Sequence, residues 1–140
     1  MSWYVAAFLS AIFAALTSIL AKIGIKNVDS NLATAIRTTV ILLFTWGIVA
    51  FQKTAPAIGT ISKSSFVFLI LSGLATGLSW LFYFYALQVG QANKVVPIDK
   101  LSLVLTIILA GILLKEKITL QASIGAILMT VGAIMIAVAK

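Results

Sequence analysis

The sequence predicts an all-α, polytopic membrane protein with five transmembrane helices. The chain of 140 residues is 62% hydrophobic and only 9% charged, whereas a soluble domain carries about a quarter charged residues. Its mean hydropathy is +1.20. Five runs of mostly apolar residues are separated by short polar connections. Each run has the roughly 20 residues that a helix needs to cross a hydrocarbon core about 30 Å thick.

The five runs cover residues 3–21, 32–51, 66–87, 95–114 and 118–139, and we expect them to form one domain, residues 1–140. The first run begins without a basic segment and leads into a chain that stays hydrophobic, so we expect a span and not a cleaved signal peptide. Trp3 and Tyr4 at its start suit an interfacial aromatic belt. The very short connection at residues 115–117 makes the last two helices an antiparallel hairpin.

Composition excludes several classes of function. The chain has no Cys and no His, which removes disulfides, thiolate nucleophiles, imidazole bases and the usual transition-metal ligands. We therefore expect no catalytic residues, no metal and no cofactor. A net charge of +7 would suggest nucleic acid in a soluble protein. Here we expect basic connections that face lipid headgroups, with the bilayer and not nucleic acid as the partner.

Basic residues are nearly balanced between the two sides of the membrane. The second and fourth connections, on the N-terminal side, hold Lys53, Lys63, Lys115 and Lys117. The opposite side holds Lys22, Lys26, Lys94 and Lys140, with Arg37 and Lys100 just inside the helices. Because Lys and Arg in short loops set orientation, such a chain has little reason to choose one direction. Dual insertion, which would pair two inverted copies, stands beside an ordinary single topology.

The third helix carries two adjacent faces of interest. One is a hydroxyl face of Ser72, Thr76, Ser79 and Tyr83. On the neighbouring face, Gly73 and Gly77 form a G-x-x-x-G pair, which predicts close helix packing. For Trp80 and Tyr83, a substrate cavity and ordinary packing are both open.

Small residues also line the last helix, where Gly125 and Gly132 predict a packing or dimer helix. Hydroxyl residues recur along the first, second and fourth helices, which indicates a shared polar interior. Ser and Thr also bond to carbonyls of their own helix in membranes, so each stripe alone says little.

The sharpest signal is the set of ionisable residues inside spans, Arg37, Asp99 and Lys100, because a charge in hydrocarbon costs a few kcal/mol and usually faces a cavity or a partner. Arg37 and Asp99 are expected roughly 6 to 8 Å below the same surface, so they can pair. Lys100 would then be an unneutralised cation on the same side as Lys22. The pair either braces the bundle while the lysines snorkel, or the cations form a site for an anionic group. Pro97 either bends the fourth helix or lies at its start.

The sequence GLATGLSWLFYFYALQVGQANKVVPIDKLS, the KEKIT turn and the earlier AKIGIKNVDSNLATAIRTTVILL resemble the EamA domain of the drug/metabolite transporter superfamily, over nearly the whole chain. Most proteins with this domain carry two copies in ten helices. One copy resembles the single-domain, five-helix branch, which implies a homodimer or a sister chain. Where the family often has Gly before the glutamate of the fourth turn, this chain has Lys115. The small multidrug exporters use a glutamate in helix one that is absent here, so their mechanism is not carried over.

The resemblance implies a multi-pass secondary transporter of the cell inner membrane that moves a small metabolite by alternating access, as a dimer and preferably as an antiparallel homodimer. We expect an anionic or zwitterionic substrate and not a hydrophobic cation. The expected contacts are Arg37, Thr76, Ser79, Trp80, Tyr83, Asp99 and Lys100. A non-transporting membrane subunit, or assembly partner of a larger complex, is the alternative. A passive channel ranks third, and an enzyme ranks last.

Overall fold

The computed structural model describes residues 2–139, and these are helical with no strand. The elements are α1 (Trp3–Gly24), α2 (Ser30–Phe51), a short 3₁₀ helix (Ala55–Thr60), α3 (Lys63–Val89), α4 (Ala92–Asp99), α5 (Leu101–Leu113) and α6 (Leu120–Val138). Counting α4 and α5 as one segment, five helices are long and apolar enough to cross a membrane. This confirms the predicted all-α, five-span fold.

Capping residues fix helix ends that hydrophobicity alone placed only approximately. The Asp29 carboxylate accepts from the backbone N–H groups of Asn31 and Leu32, so α2 begins before its apolar run. The Thr119 hydroxyl accepts from the Ala122 N–H at 3.1 Å, so α6 begins at Leu120 and not at the predicted residue 118. Each cap satisfies a backbone donor that has no partner within its helix.

The fourth span is interrupted. Pro97 lies inside α4, so the alternative that placed it at the helix start is wrong, and the predicted non-uniform helix is confirmed. Proline has no N–H to bond to the carbonyl four residues earlier, and its ring crowds that carbonyl. The helix breaks just afterwards at Lys100, whose carbonyl accepts from the Leu103 N–H, three residues on, at 3.0 Å.

The described chain divides into two compact units. The terminal unit consists of the residues up to Lys22 and those from Val89 onward; the middle unit is Ile23–Gln88. The prediction that residues 1–140 form one domain stays a prediction.

In the terminal unit, α6 packs against α4 and α5, and the small residues Ala126 and Ala133 are its buried members. Two lysine side chains bond to backbone carbonyls. Lys94 Nζ donates to Ala139 O, at the end of α6, at 2.5 Å. Lys22 Nζ donates to Gly90 O, in the turn before α4, at 2.6 Å. Such bonds satisfy carbonyls that helix ends leave without donors.

In the middle unit, the large side chains of Ile25, Phe84 and Leu87 are almost inaccessible. Gln88, near the end of α3, donates from Nε2 to Val28 O at 2.8 Å. This bond ties the connection before α2 to the end of α3. In the middle unit, the start of α2 and the end of α3 are therefore held together on one side of the membrane.

Two lysines adopt the left-handed backbone conformation, Lys53 at φ 56° and Lys115 at φ 55°. Lys53 follows α2, where the Lys53 N–H bonds to Ala50 O and the Thr54 N–H bonds to Val49 O, both at 3.2 Å. This is the paired pattern of a Schellman helix end, which favours glycine at the left-handed position. Lys115 follows α5, at the position where the family often has Gly.

The surface of the spans suits a membrane. At most 11% of the residues in any candidate span are buried, and large apolar side chains such as Leu105, Ile127 and Phe82 are exposed. An apolar surface of this extent requires lipid or another membrane protein around it. Lys140, counted above among the charges of the C-terminal side, lies outside the described residues.

Candidate functional site

Arg37 of α2 is held on aromatic rings. Its guanidinium carbon lies 4.9 Å from the centroid of the Trp80 ring and 4.8 Å from that of the Phe84 ring. A cation over an aromatic face is attracted by the ring quadrupole, and more strongly where water is excluded. Arg37 is half-buried. No side chain or carbonyl among residues 2–139 is recorded as accepting a hydrogen bond from its guanidinium, so its N–H donors remain available.

Helical spacing produces the ring pair. Trp80 and Phe84 are four residues apart on α3 and therefore lie on the same helix face, one turn apart. Phe84 is only 1% exposed, which makes it a fixed platform, and Tyr83 meets it edge-on with ring centroids 6.0 Å apart. Phe84 was missing from the predicted site residues. Its spacing from Trp80 was the available signal, but an aromatic pair on a membrane helix is more often plain packing.

A groove of about 410 Å³ lies between α2 and α3. Its lining from α2 includes Asn31, Thr34, Thr38 and Thr39, and its lining from α3 is Gly77 and Leu81. Thr34 and Thr38 are three residues before and one residue after Arg37, and Leu81 is next to Trp80. The groove lining thus consists of sequence neighbours of Arg37 and Trp80, and it does not include Arg37, Trp80 or Phe84 themselves.

The threonine hydroxyls of the groove use their protons within α2. Thr34 donates to Ser30 O and Thr38 donates to Thr34 O, each at 2.8 Å. A hydroxyl that donates to its own helix keeps its oxygen lone pairs as acceptors. The threonines of the groove thus present methyl groups and acceptor oxygens, while N–H donors are offered by the Asn31 side-chain amide in the lining and by Arg37.

The structure brings together only part of the predicted set. Trp80 contacts Arg37, and Tyr83 is half-buried next to Phe84. Thr76 donates instead to Ser72 O in its own helix at 2.9 Å. Thr76 and Ser79 are exposed, and no contact between either of them and Arg37 is recorded within the described chain. Their role in binding stays a prediction.

Asp99 and Lys100 lie in the terminal unit, at the break between α4 and α5. Lys100 Nζ is 3.3 Å from Asp99 Oδ2, with the two side chains 49% and 33% exposed respectively. Lys100 was expected to lack a carboxylate partner if Arg37 paired with Asp99; in the described chain Asp99 supplies that partner to Lys100. An Arg37–Asp99 pair would join residues of the two different units and stays a prediction, as does a binding role for Asp99 and Lys100.

The glycines predicted to pack have open surroundings. A Cβ built at Gly73, Gly77, Gly125 or Gly132 would meet no heavy atom of a neighbouring element within 4 Å. The small side chains that α6 buries are Ala126 and Ala133. Close packing through the glycines is thus not seen within one copy across the described residues, and packing against a second copy stays a prediction.

Ionisable and hydroxyl groups within apolar spans are expensive in lipid and mark solute pathways or partner contacts. The fold defines a multi-pass helical membrane protein, and Arg37 is a charge within one of its spans.

Comparison with known proteins gives the family. A model of the EamA-like transporter family matches residues 1–138, and the chain belongs to this family. A protein from a Sinorhizobium species, named as an uncharacterized transporter, is 45% identical over 137 residues, which cover 98% of this chain and 97% of that protein. An uncharacterized protein of Methanocaldococcus jannaschii is 32% identical over 71 residues, covering 51% of this chain and 52% of that protein. No solved structure matches.

Proposed function

We propose that this chain is one subunit of a dimeric secondary transporter that moves a small anionic or zwitterionic metabolite across the cell inner membrane by alternating access. The family and the relative named as a transporter support transport itself. The observation that carries the substrate-site proposal is Arg37, held over Trp80 and Phe84 with its hydrogen-bond donors unused.

The charge of Arg37 is energetically costly within a bilayer unless a partner, a cavity or the interface stabilises it. An arginine near a helix end can snorkel to the interface, but the guanidinium of Arg37 lies over two rings of α3. The planar guanidinium stacks on aromatic faces and still offers a fork of donors that matches a carboxylate or phosphate. An anionic group of the substrate is the natural acceptor, with the groove at Thr34 and Thr38 receiving the rest of the molecule.

Two features support a dimer. Gly73 and Gly77 have no close neighbours across the described residues, although glycines at this spacing let helices approach closely. Ser72, Thr76 and Ser79 beside them are exposed, and hydroxyls facing lipid gain from a partner helix. The nearly balanced basic residues favour an antiparallel homodimer; a sister chain is the other possible partner.

A non-transporting subunit is the competing function, and a transport assay separates the two. The purified chain is reconstituted alone into liposomes, and uptake of a panel of labelled organic acids, amino acids and quaternary ammonium compounds is measured. We expect saturable uptake of at least one anion or zwitterion and none of the cations. Uptake of cations alone would refute the substrate class. Unsaturable flux would indicate a channel, and no flux from a folded dimer would favour the subunit. No step calls for a cofactor or a catalytic residue.

Cysteine cross-linking tests the dimer, because the chain has no Cys of its own. In an antiparallel pair that crosses at Gly73 and Gly77, Ser72→Cys in one copy meets Ser79→Cys in the other. In a parallel pair, Ser72→Cys meets itself. Phe82→Cys, exposed at 73% on another part of α3, is the control that should not cross-link in either arrangement.

Reporters fused after Lys140 test the orientation independently. Activity of both a cytoplasmic and an external reporter would support dual insertion. Activity of one reporter alone would refute the antiparallel homodimer and point to a parallel dimer or a sister chain.

A further inference from the structure

The face between α5 and α6 carries an apolar groove of about 330 Å³. Its lining includes Val104 and Ile108 from α5, Ala126, Thr130 and Val131 from α6, and Ile118 from the connection between them. The Thr130 hydroxyl donates to Ala126 O at 2.8 Å, so it offers no free proton to a ligand. Ser123 also lines the groove, and its hydroxyl donates to Thr119 O at 3.3 Å. The lining is mainly aliphatic and suits hydrocarbon.

The end of the groove at Ile118 is positively charged. Ile118 lies directly over Gly111, where a Cβ would come within 2.6 Å of Ile118 Cδ1, so the connection folds back onto α5. Lys115 and Lys117 flank it and are exposed. Within the described chain neither ammonium has a recorded ion-pair partner or acceptor, and Glu116 is not within salt-bridge distance of them.

The length of the groove matches one leaflet. From Leu120, where α6 begins, to Val131 the helix rises about 16 Å, and half of a hydrocarbon core is about 15 Å. The apolar part therefore runs from the headgroup level to about the middle of the bilayer, with the two free cations at its headgroup end.

We propose that this groove binds one acyl chain of an anionic phospholipid, whose phosphate is bound by Lys115 and Lys117. Charge complementarity favours a lipid over a second copy of the chain. Basic residues outnumber acidic residues at both ends of the spans, so a copy in either orientation would bring a net positive charge to Lys115 and Lys117. Anionic lipid supplies the opposite charge and attracts basic groups at the membrane surface.

The first test removes the charge. The full chain is reconstituted into vesicles of phosphatidylcholine that contain a small fraction of phosphatidylglycerol, and the phosphatidylglycerol retained after extraction into mild detergent is measured by mass spectrometry. We expect Lys115→Gln with Lys117→Gln to weaken its binding by about thirtyfold. Lys53→Gln with Lys63→Gln is the matched control. It also removes two basic residues on the same side of the membrane, and Lys53, like Lys115, has a left-handed backbone conformation. Equal retention in both double variants would overturn the proposal.

The second test fills the groove. Thr130→Phe places a ring where the acyl chain would lie. The control is Met129→Phe, at the preceding residue of α6, which is exposed and does not line the groove. We expect Thr130→Phe alone to abolish selective retention of phosphatidylglycerol while the dimer survives. Loss of the dimer with lipid retention unchanged would overturn the proposal and assign the groove to a second copy. Retention of phosphatidylcholine equal to that of phosphatidylglycerol in the unmodified chain would overturn the phosphate contact.

Discussion

Two grooves, one in each unit of the described chain, are similar in size but different in chemistry. The groove of the middle unit, about 410 Å³, is lined by Asn31 and threonines beside a stacked arginine. The groove of the terminal unit, about 330 Å³, is lined mainly by branched aliphatic residues, and Lys115 and Lys117 lie in the connection just before Ile118. Volume alone therefore does not mark a solute site in a membrane protein. In our two proposals the position of the charge, within the span or at its end, is what distinguishes the substrate site from the lipid site.

The largest expected effect comes from removing the charge of the middle groove. We expect Arg37→Met to lower transport of the anionic substrate by about 100-fold or more, because a charge-assisted pair with the substrate is lost. Thr45→Val, on the same helix but away from the groove lining, is the control and should retain transport. Uptake into liposomes is measured together with the folded fraction from gel filtration. A folded Arg37→Met protein with normal uptake would show that Arg37 does not bind the transported substrate.

Removing one aromatic platform should have a smaller effect. We expect Trp80→Leu to raise the KM for the anionic substrate by about tenfold, since a desolvated cation–π contact is worth about 1 to 2 kcal/mol. Trp80→Phe should recover most of the affinity because it keeps an aromatic face. If Leu and Phe at this position behave alike, the ring face does not hold the guanidinium and the site needs another explanation.

The left-handed lysines allow a test of stability, and Lys53 lies outside the linings of both grooves. We expect Lys53→Gly to raise the free energy of unfolding by about 1 kcal/mol, because glycine has no Cβ to strain the left-handed conformation. Lys115→Gly should give a similar gain. Lys53→Ala, which removes the same charge but keeps the strain, is the comparison in a denaturation series in detergent. Equal gains from Ala and Gly would mean that charge, and not backbone strain, is responsible.

The smallest effect concerns the lysine bonds of the terminal unit. Lys22→Met removes the bond to Gly90 O, and we expect a loss of about 1 kcal/mol in unfolding free energy with transport unchanged. Lys26→Met, at an exposed connection residue, should leave stability within about 0.5 kcal/mol. A loss of transport in folded Lys22→Met would instead support the sequence-based expectation of an electropositive substrate site on that side.

The fold was predictable because bilayer thickness converts composition directly into span count. The ends of the helices were less predictable, because Asp29 and Thr119 cap α2 and α6 through individual side-chain hydrogen bonds. Hydropathy does not reveal such bonds. The break at Lys100 was signalled by Pro97, although its position was not. Side-chain partners were the least predictable. Arg37 was recognised as a charge needing a partner, and a carboxylate was the obvious candidate, but the described contacts are rings. Lys100 pairs with its own sequence neighbour.

Protection by the substrate tests whether the middle groove and Arg37 form the binding site. Thr38→Cys places a single thiol in the groove lining, and Thr45→Cys places one on the same helix outside it. The rate of modification by a small thiol reagent is measured in liposomes with and without the transported anion. We expect the anion to slow modification of the cysteine at residue 38 but not of the cysteine at residue 45. We also expect Arg37→Met to remove this protection. A transported anion that leaves residue 38 unprotected would contradict it.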